Sequence, residues 1–79
     1  MSDITPAKIL DLKGLPCPMP VVKMSQEIGS VNVGEVIEVH TTDPGSLSDF
    51  PAWAETSGNE VVDTEQGGEF IKIFVKRNN

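Results

Sequence analysis

Lys8-Ile9-Leu10-Asp11-Leu12-Lys13-Gly14-Leu15-Pro16-Cys17-Pro18-Met19-Pro20-Val21-Val22-Lys23-Met24-Ser25-Gln26-Glu27-Ile28 reads as a strand, a loop and a helix in direct succession. Leu10 and Leu12 alternate with polar neighbours, which predicts a short strand over 8–12. Gly14 to Cys17 is loop. Val21, Met24 and Ile28 recur at helical spacing, predicting a helix over 18–28 that Gly29 closes at its C-cap. Pro18 suits the first helical position, which makes Cys17 the residue that caps the helix.

The Val33-Gly34 turn leads into a strand over 35–41. Ile37, Val39 and Thr41 take one face of it, and Glu38 and His40 the other. Asp43-Pro44 reads as a helix start, with the carboxylate at the N-cap. Leu47, Phe50 and Ala54 follow at helical spacing up to Gly58. Pro51 lacks an N–H and crowds the carbonyl four residues back, so a kink or restart is expected near 49–51. A hairpin follows, with strands over 60–65 and 69–76 joined by Gln66-Gly67-Gly68. Ile71, Ile73 and Val75 point one way along the last strand, and Lys72, Phe74 and Lys76 the other. The order is βαβαββ. Strands with one polar face predict an α+β fold, a two-layer α/β sandwich with a four-stranded mixed sheet and both helices on one face. The whole of 1–79 is expected to form a single domain.

The 79 residues carry 12 acidic and 6 basic side chains, a net charge of -6, with 38% hydrophobic residues and a single cysteine. This composition is globular rather than disordered. An acidic chain is poorly suited to direct nucleic-acid binding, which needs many phosphate-neutralising cations. One cysteine excludes an internal disulfide and a dithiol redox cycle. With His40 as the sole imidazole, the chain has too few soft ligands for a structural zinc site, and no metal or other cofactor is expected. The first residues contain Asp3 and Pro6 and no apolar core of a signal peptide. No stretch has the length of a membrane span, so a cytoplasmic protein without membrane contact is expected.

Cys17 is therefore the residue to explain. A helix N-terminus carries roughly half a positive charge and favours a thiolate over a thiol. Pro20 has no amide proton, which leaves the Met19 N–H as the near donor to sulfur, with the Val21 N–H behind it. A sulfur so lightly held, on a backbone stiffened by Pro16, Pro18 and Pro20, is expected to be exposed and reactive. His40 lies on the face assigned away from the helices, where it reads as a solvated side chain rather than a base for Cys17. A single activated thiol, with no base, second thiol or metal, can accept a group and hand it on.

The segment from Leu10 to Pro20 resembles the signature of the TusA family of sulfur-carrier proteins, also called SirA-like. That signature is an Asp, a Gly three residues on, and Cys-Pro-x-Pro at a helix start; here these are Asp11, Gly14, Cys17, Pro18 and Pro20. The similarity continues through Asp43-Pro44, Asp49-Phe50-Pro51, Trp53 and Gly58. It implies that Cys17 accepts sulfane sulfur as a persulfide from a cysteine desulfurase or a rhodanese-like donor and relays it to a downstream acceptor protein. The acceptor would serve tRNA thiolation, molybdenum-cofactor assembly or sulfur oxidation. The chain would then work as a sulfurtransferase only in the sense of a carrier, as a monomer in transient complexes. Met19 stands at the variable place between the two prolines, without the contact a charged residue would make there.

Other residues have plainer readings. Asp11 is expected to hold the loop by accepting backbone amides, and Gly14 to supply a backbone angle closed to other residues. Met24 and Trp53 read as core, Asp43 as a cap, and Lys23 as solvated or a partner contact. Lys72, Phe74 and Lys76, with Arg77, gather positive charge on a sheet face left bare by the helices, which reads first as a solvated strand and second as a docking surface. The alternative to a carrier is a non-catalytic regulatory or RNA-binding module on the same scaffold.

Overall fold

Ile37 and Val39 from the second strand and Ile73 and Val75 from the last are fully buried, and they lie in register across the middle of the sheet. The computed structural model describes residues 5–16 and 18–79. Its elements are β1 (Lys8–Asp11), α1 (Met19–Glu27), a 3-10 turn (Ile28–Ser30), β2 (Val36–Thr41), α2 (Ser46–Ser57), β3 (Glu60–Gly67) and β4 (Phe70–Lys76). The sheet order is β1-β2-β4-β3. β1 runs parallel to β2, while β4 is antiparallel to both β2 and β3. The βαβαββ mixed sheet of the sequence reading is thus what the chain forms.

Strand alternation sorts the two faces. Lys8 and Leu10 lie opposite Ile37 and Val39, and Val75 and Ile73 lie opposite the same pair from the other side. This face meets both helices: Met24 from α1 and Phe50 from α2 join Leu12, Val31 and the four strand residues in one buried cluster. Each fully buried side chain of this size contributes about 1.5–3 kcal/mol relative to exposure. Trp53, half-buried, packs against the cluster together with Leu10, Leu15 and Val21.

Several local expectations are corrected. α2 runs unbroken from Ser46 to Ser57 with Pro51 inside it. Its entry is wound tightly, with the N–H groups of Ser46, Leu47 and Ser48 donating to the carbonyls of Asp43, Pro44 and Gly45. Pro51 itself lies exposed, and burial of Phe50 and Ala54 on the inner face carries the helix past it. The N-cap is Gly45 rather than Asp43, and Asp43 Oδ1 instead accepts the Gly45 N–H at 3.1 Å. α1 ends at Glu27 and tightens into the 3-10 turn, so Gly29 lies within that turn rather than closing the helix. β3 continues to Gly67, leaving only Gly68 and Glu69 between the hairpin strands.

The bare sheet face differs from the expected solvated strand. Phe74 is only 4% exposed. Glu38 and Asp63 stand opposite it on β2 and β3, and Lys72 and Lys76 flank it along β4, so it has neighbours on every side. Arg77 is spent on structure: its Nη1 donates to the Val31 carbonyl at 2.6 Å, and its backbone N–H to the Glu35 carbonyl at 2.9 Å. Lys8 reaches from β1 to the far end of α1, bonding the Glu27 carboxylate and, at 3.1 Å, Ser30 Oγ. No helix among the described residues is long and apolar enough to cross a membrane.

Candidate functional site

The segment leaving β1 is shaped by three contacts. The Lys13 N–H donates to Asp11 Oδ1 at 3.2 Å, so this carboxylate folds the chain back just after the strand. The Leu15 N–H then donates to the Leu12 carbonyl at 3.3 Å, closing a four-residue turn. Gly14 occupies the third position of that turn at φ +85°, which is the positive angle of a type II turn. Its own N–H donates to Thr42 Oγ1 at 2.9 Å and ties the loop to the end of β2.

Cys17 lies outside the described residues, so the site is defined by what flanks it. Pro16 and Pro18 are exposed and Pro20 is fully buried. The helix start differs from the sequence expectation. α1 begins at Met19, Pro18 takes the N-cap position at φ -98°, ψ 19°, and no side chain caps the helix. The reason is a second turn: the Met19 N–H donates to the Pro16 carbonyl at 2.8 Å, and the first helical bond runs from the Val22 N–H to the Pro18 carbonyl. The Met19 N–H, expected to be the donor nearest to sulfur, is thus engaged by backbone. Cys17 precedes the cap instead of being it, and Pro18 is the cap rather than the first helical residue.

The loop is also strapped to the bare sheet face. The Lys13 ammonium sits 4.6 Å from the Phe70 ring centroid and 4.0 Å from Asp11 Oδ1. The His40 ring packs on Phe70 at 4.8 Å, and His40 Nε2 pairs with Glu38 Oε2 at 2.5 Å. The imidazole therefore belongs to a network on the open face, engaged by Glu38. Sequence reasoning missed Thr42 and Phe70, which hold Gly14 and Lys13 from 28 and 57 residues further along the chain. Their residue types carry no signal of that role; only strand pairing brings them to this end of the sheet.

Thr42, which holds Gly14, leads into the entry of α2. Buried Thr41 Oγ1 accepts the Asp43 N–H at 3.1 Å and lies 3.3 Å from Ser46 Oγ. Asp43 Oδ2 is buried without a hydrogen-bond partner among the described residues. Lys23 is exposed on α1. No group of three or more potential metal ligands is found among the described residues.

Fold and motif placement together define a class: a small α/β sandwich whose segment between β1 and α1 carries the chain's one cysteine. Its architecture matches a SirA-like protein of Desulfitobacterium hafniense, with a TM-score of 0.76 at 20% identity, over 91% of this chain and 99% of that one. The chain belongs to the TusA family, whose model, described as sulfurtransferase TusA, matches residues 8–77. Among its relatives is the sulfur carrier protein TusA of Allochromatium vinosum, 42% identical over 68 residues, covering 85% of this chain and 90% of that one. TusA of Pseudomonas putida is 36% identical over 78 residues, covering 98% of each. A Bacillus subtilis chain named "Putative sulfur carrier protein YrkF" is 45% identical over 69 residues, 87% of this chain but only 37% of its own length.

Proposed function

We infer that this chain is a sulfur carrier that takes up sulfane sulfur as a persulfide on Cys17 and relays it to an acceptor protein. The observation that carries the reading is the sole cysteine, set in Cys-Pro-x-Pro immediately ahead of α1 in a TusA-family chain. The N-terminus of α1 has no acidic residue in its first turn to oppose a thiolate or a persulfide anion. Asp11, Gly14, Pro18 and Pro20 then serve as the rigid support of the loop rather than as reacting groups. Asp11 and Gly14 shape the turn, while Pro18 and buried Pro20 bracket the helix start.

The donor is a cysteine desulfurase or a rhodanese-like protein, and the acceptor belongs to a thiolation, molybdenum-cofactor or sulfur-oxidation route. The chain works as a single TusA-like domain in the cytoplasm, without a cofactor and without contacting nucleic acid itself. An intact-mass experiment tests this. The reduced protein is incubated with a cysteine desulfurase and cysteine, or with a rhodanese and thiosulfate, and its intact mass is measured. Wild type gains the mass of one sulfur atom and Cys17→Ser gains none. Equal gain by Cys17→Ser, or no gain with either donor or with inorganic polysulfide, refutes the reading.

A further inference from the structure

Resting on the carrier reading, the surface beside the thiol position indicates what kind of protein it meets. Residues 14 to 22 contain no charged side chain, in a chain that is 23% charged. Much of this stretch is on the surface: Pro16 and Pro18 are exposed, Leu15 and Met19 are half-buried, and Val22 is 36% exposed. Met19 and Val22 lie three residues apart on α1 and so share one side of the helix. The first cation beyond them is Lys23.

The chemistry brings a donor protein's persulfide to the Cys17 sulfur. The Cys17 thiolate attacks the outer sulfur of the donor's persulfide; a new S–S bond forms at Cys17 as the donor's S–S bond breaks. The donor cysteine leaves as a thiolate, the proton stays on the transferred sulfur, and no net oxidation occurs. With S–S bonds of about 2.05 Å, the two cysteine sulfurs stand about 4 Å apart across this attack. Adjacent Cα atoms are only about 3.8 Å apart, so Pro16, Pro18 and the first turn of α1 are the parts of the chain nearest to that attack along the backbone.

We propose that Met19 and Val22 are specificity-determining residues. Together with Pro16 and Pro18 they form an apolar lip that seats on an apolar rim around the persulfide of a sulfur-donor protein. Docking is driven by burial of apolar surface, not by ion pairs. A donor with a charged rim is rejected, because residues 14–22 offer its charges no partner when water is excluded.

The test compares loading of Cys17 by a protein donor with loading by inorganic polysulfide, which needs no docking. The protein donors are a cysteine desulfurase with cysteine and a rhodanese with thiosulfate, and persulfidation is followed by intact mass. The wild-type protein-donor rate changes by less than about twofold between about 50 mM and about 500 mM NaCl. Met19→Glu and Val22→Glu each lower the ratio of protein-donor to polysulfide rate by about tenfold or more, while Met19→Leu keeps it. Met19→Glu has a urea midpoint no lower than wild type, since a glutamate suits the first turn of a helix, so the loss is not one of folding. An unchanged ratio in both glutamate variants, or a steep salt dependence in wild type, overturns the proposal. Loading by polysulfide but by neither protein donor overturns it as well. Failure of polysulfide and of both protein donors to load wild type refutes the carrier reading itself, which keeps the two failures apart.

Discussion

Gly14→Ala separates backbone angle from space in the loop that leads to Cys17. Gly14 sits at φ +85°, and a Cβ built on it meets no atom within 4 Å. The substitution therefore adds no clash, and its cost is the angle alone. An L-residue held in the left-handed region costs about 1–2 kcal/mol. Restricting the unfolded chain returns about 0.4–1 kcal/mol. The net expectation is a loss of about 1 kcal/mol, equivalent to about 4–8 °C in Tm for a domain of this size. Gly14→Asn should fall between wild type and Ala, because asparagine tolerates this region better. Gly29 supplies the control: its added Cβ also meets nothing, but it has no positive φ and lies in the 3-10 turn after α1. Gly29→Ala should be neutral or stabilising by up to about 1 kcal/mol. Urea unfolding with linear extrapolation reads all three variants. Gly14→Ala as stable as wild type, Asn less stable than Ala, or Gly29→Ala losing as much as Gly14→Ala would refute the assignment of a type II turn held by glycine.

Two further substitutions probe the packing around α2. Pro51→Ala restores an N–H for the Leu47 carbonyl at an exposed position within α2, and a gain of about 1–3 kcal/mol is expected in thermal melts. No gain would mean that the helix does not pay for its proline. Thr41→Val keeps the shape of a fully buried side chain but removes the oxygen that accepts the Asp43 N–H and faces Ser46 Oγ. A loss of about 1–3 kcal/mol in denaturant unfolding follows from the stranded Asp43 N–H and Ser46 hydroxyl, and a neutral result would show that they find other partners.

Much of the fold was legible because burial on one face imposes a period on the residues. Ile37, Val39 and Thr41, and Ile71, Ile73 and Val75, alternate in the sequence and do share the helix-facing side of β2 and β4. The loop motif could be read for the same local reason: a proline-bracketed cysteine followed by a helical pattern places a thiol near a helix start. Single-residue preferences yield where another contact competes. Pro18 looked like the first helical residue, but the Met19 N–H is taken by the Pro16 carbonyl, and that competing turn delays the helix by one position. Pro51 looked like a break, but its penalty is local, whereas Phe50 and Ala54 are held by the whole sheet.

By itself, the sequence determined the element types and their order, the residues facing the core, and the single thiol ahead of α1. These follow from side-chain period, proline geometry and composition, all of which act within a few residues. Only the tertiary structure decided that β4 inserts between β2 and β3, that Phe74 is enclosed on the helix-free face, and that Thr42 and Phe70 hold the loop. Those outcomes depend on strand pairing and on contacts between residues far apart in the chain. Each such contact is chosen by the total burial of the sheet, which no local pattern encodes.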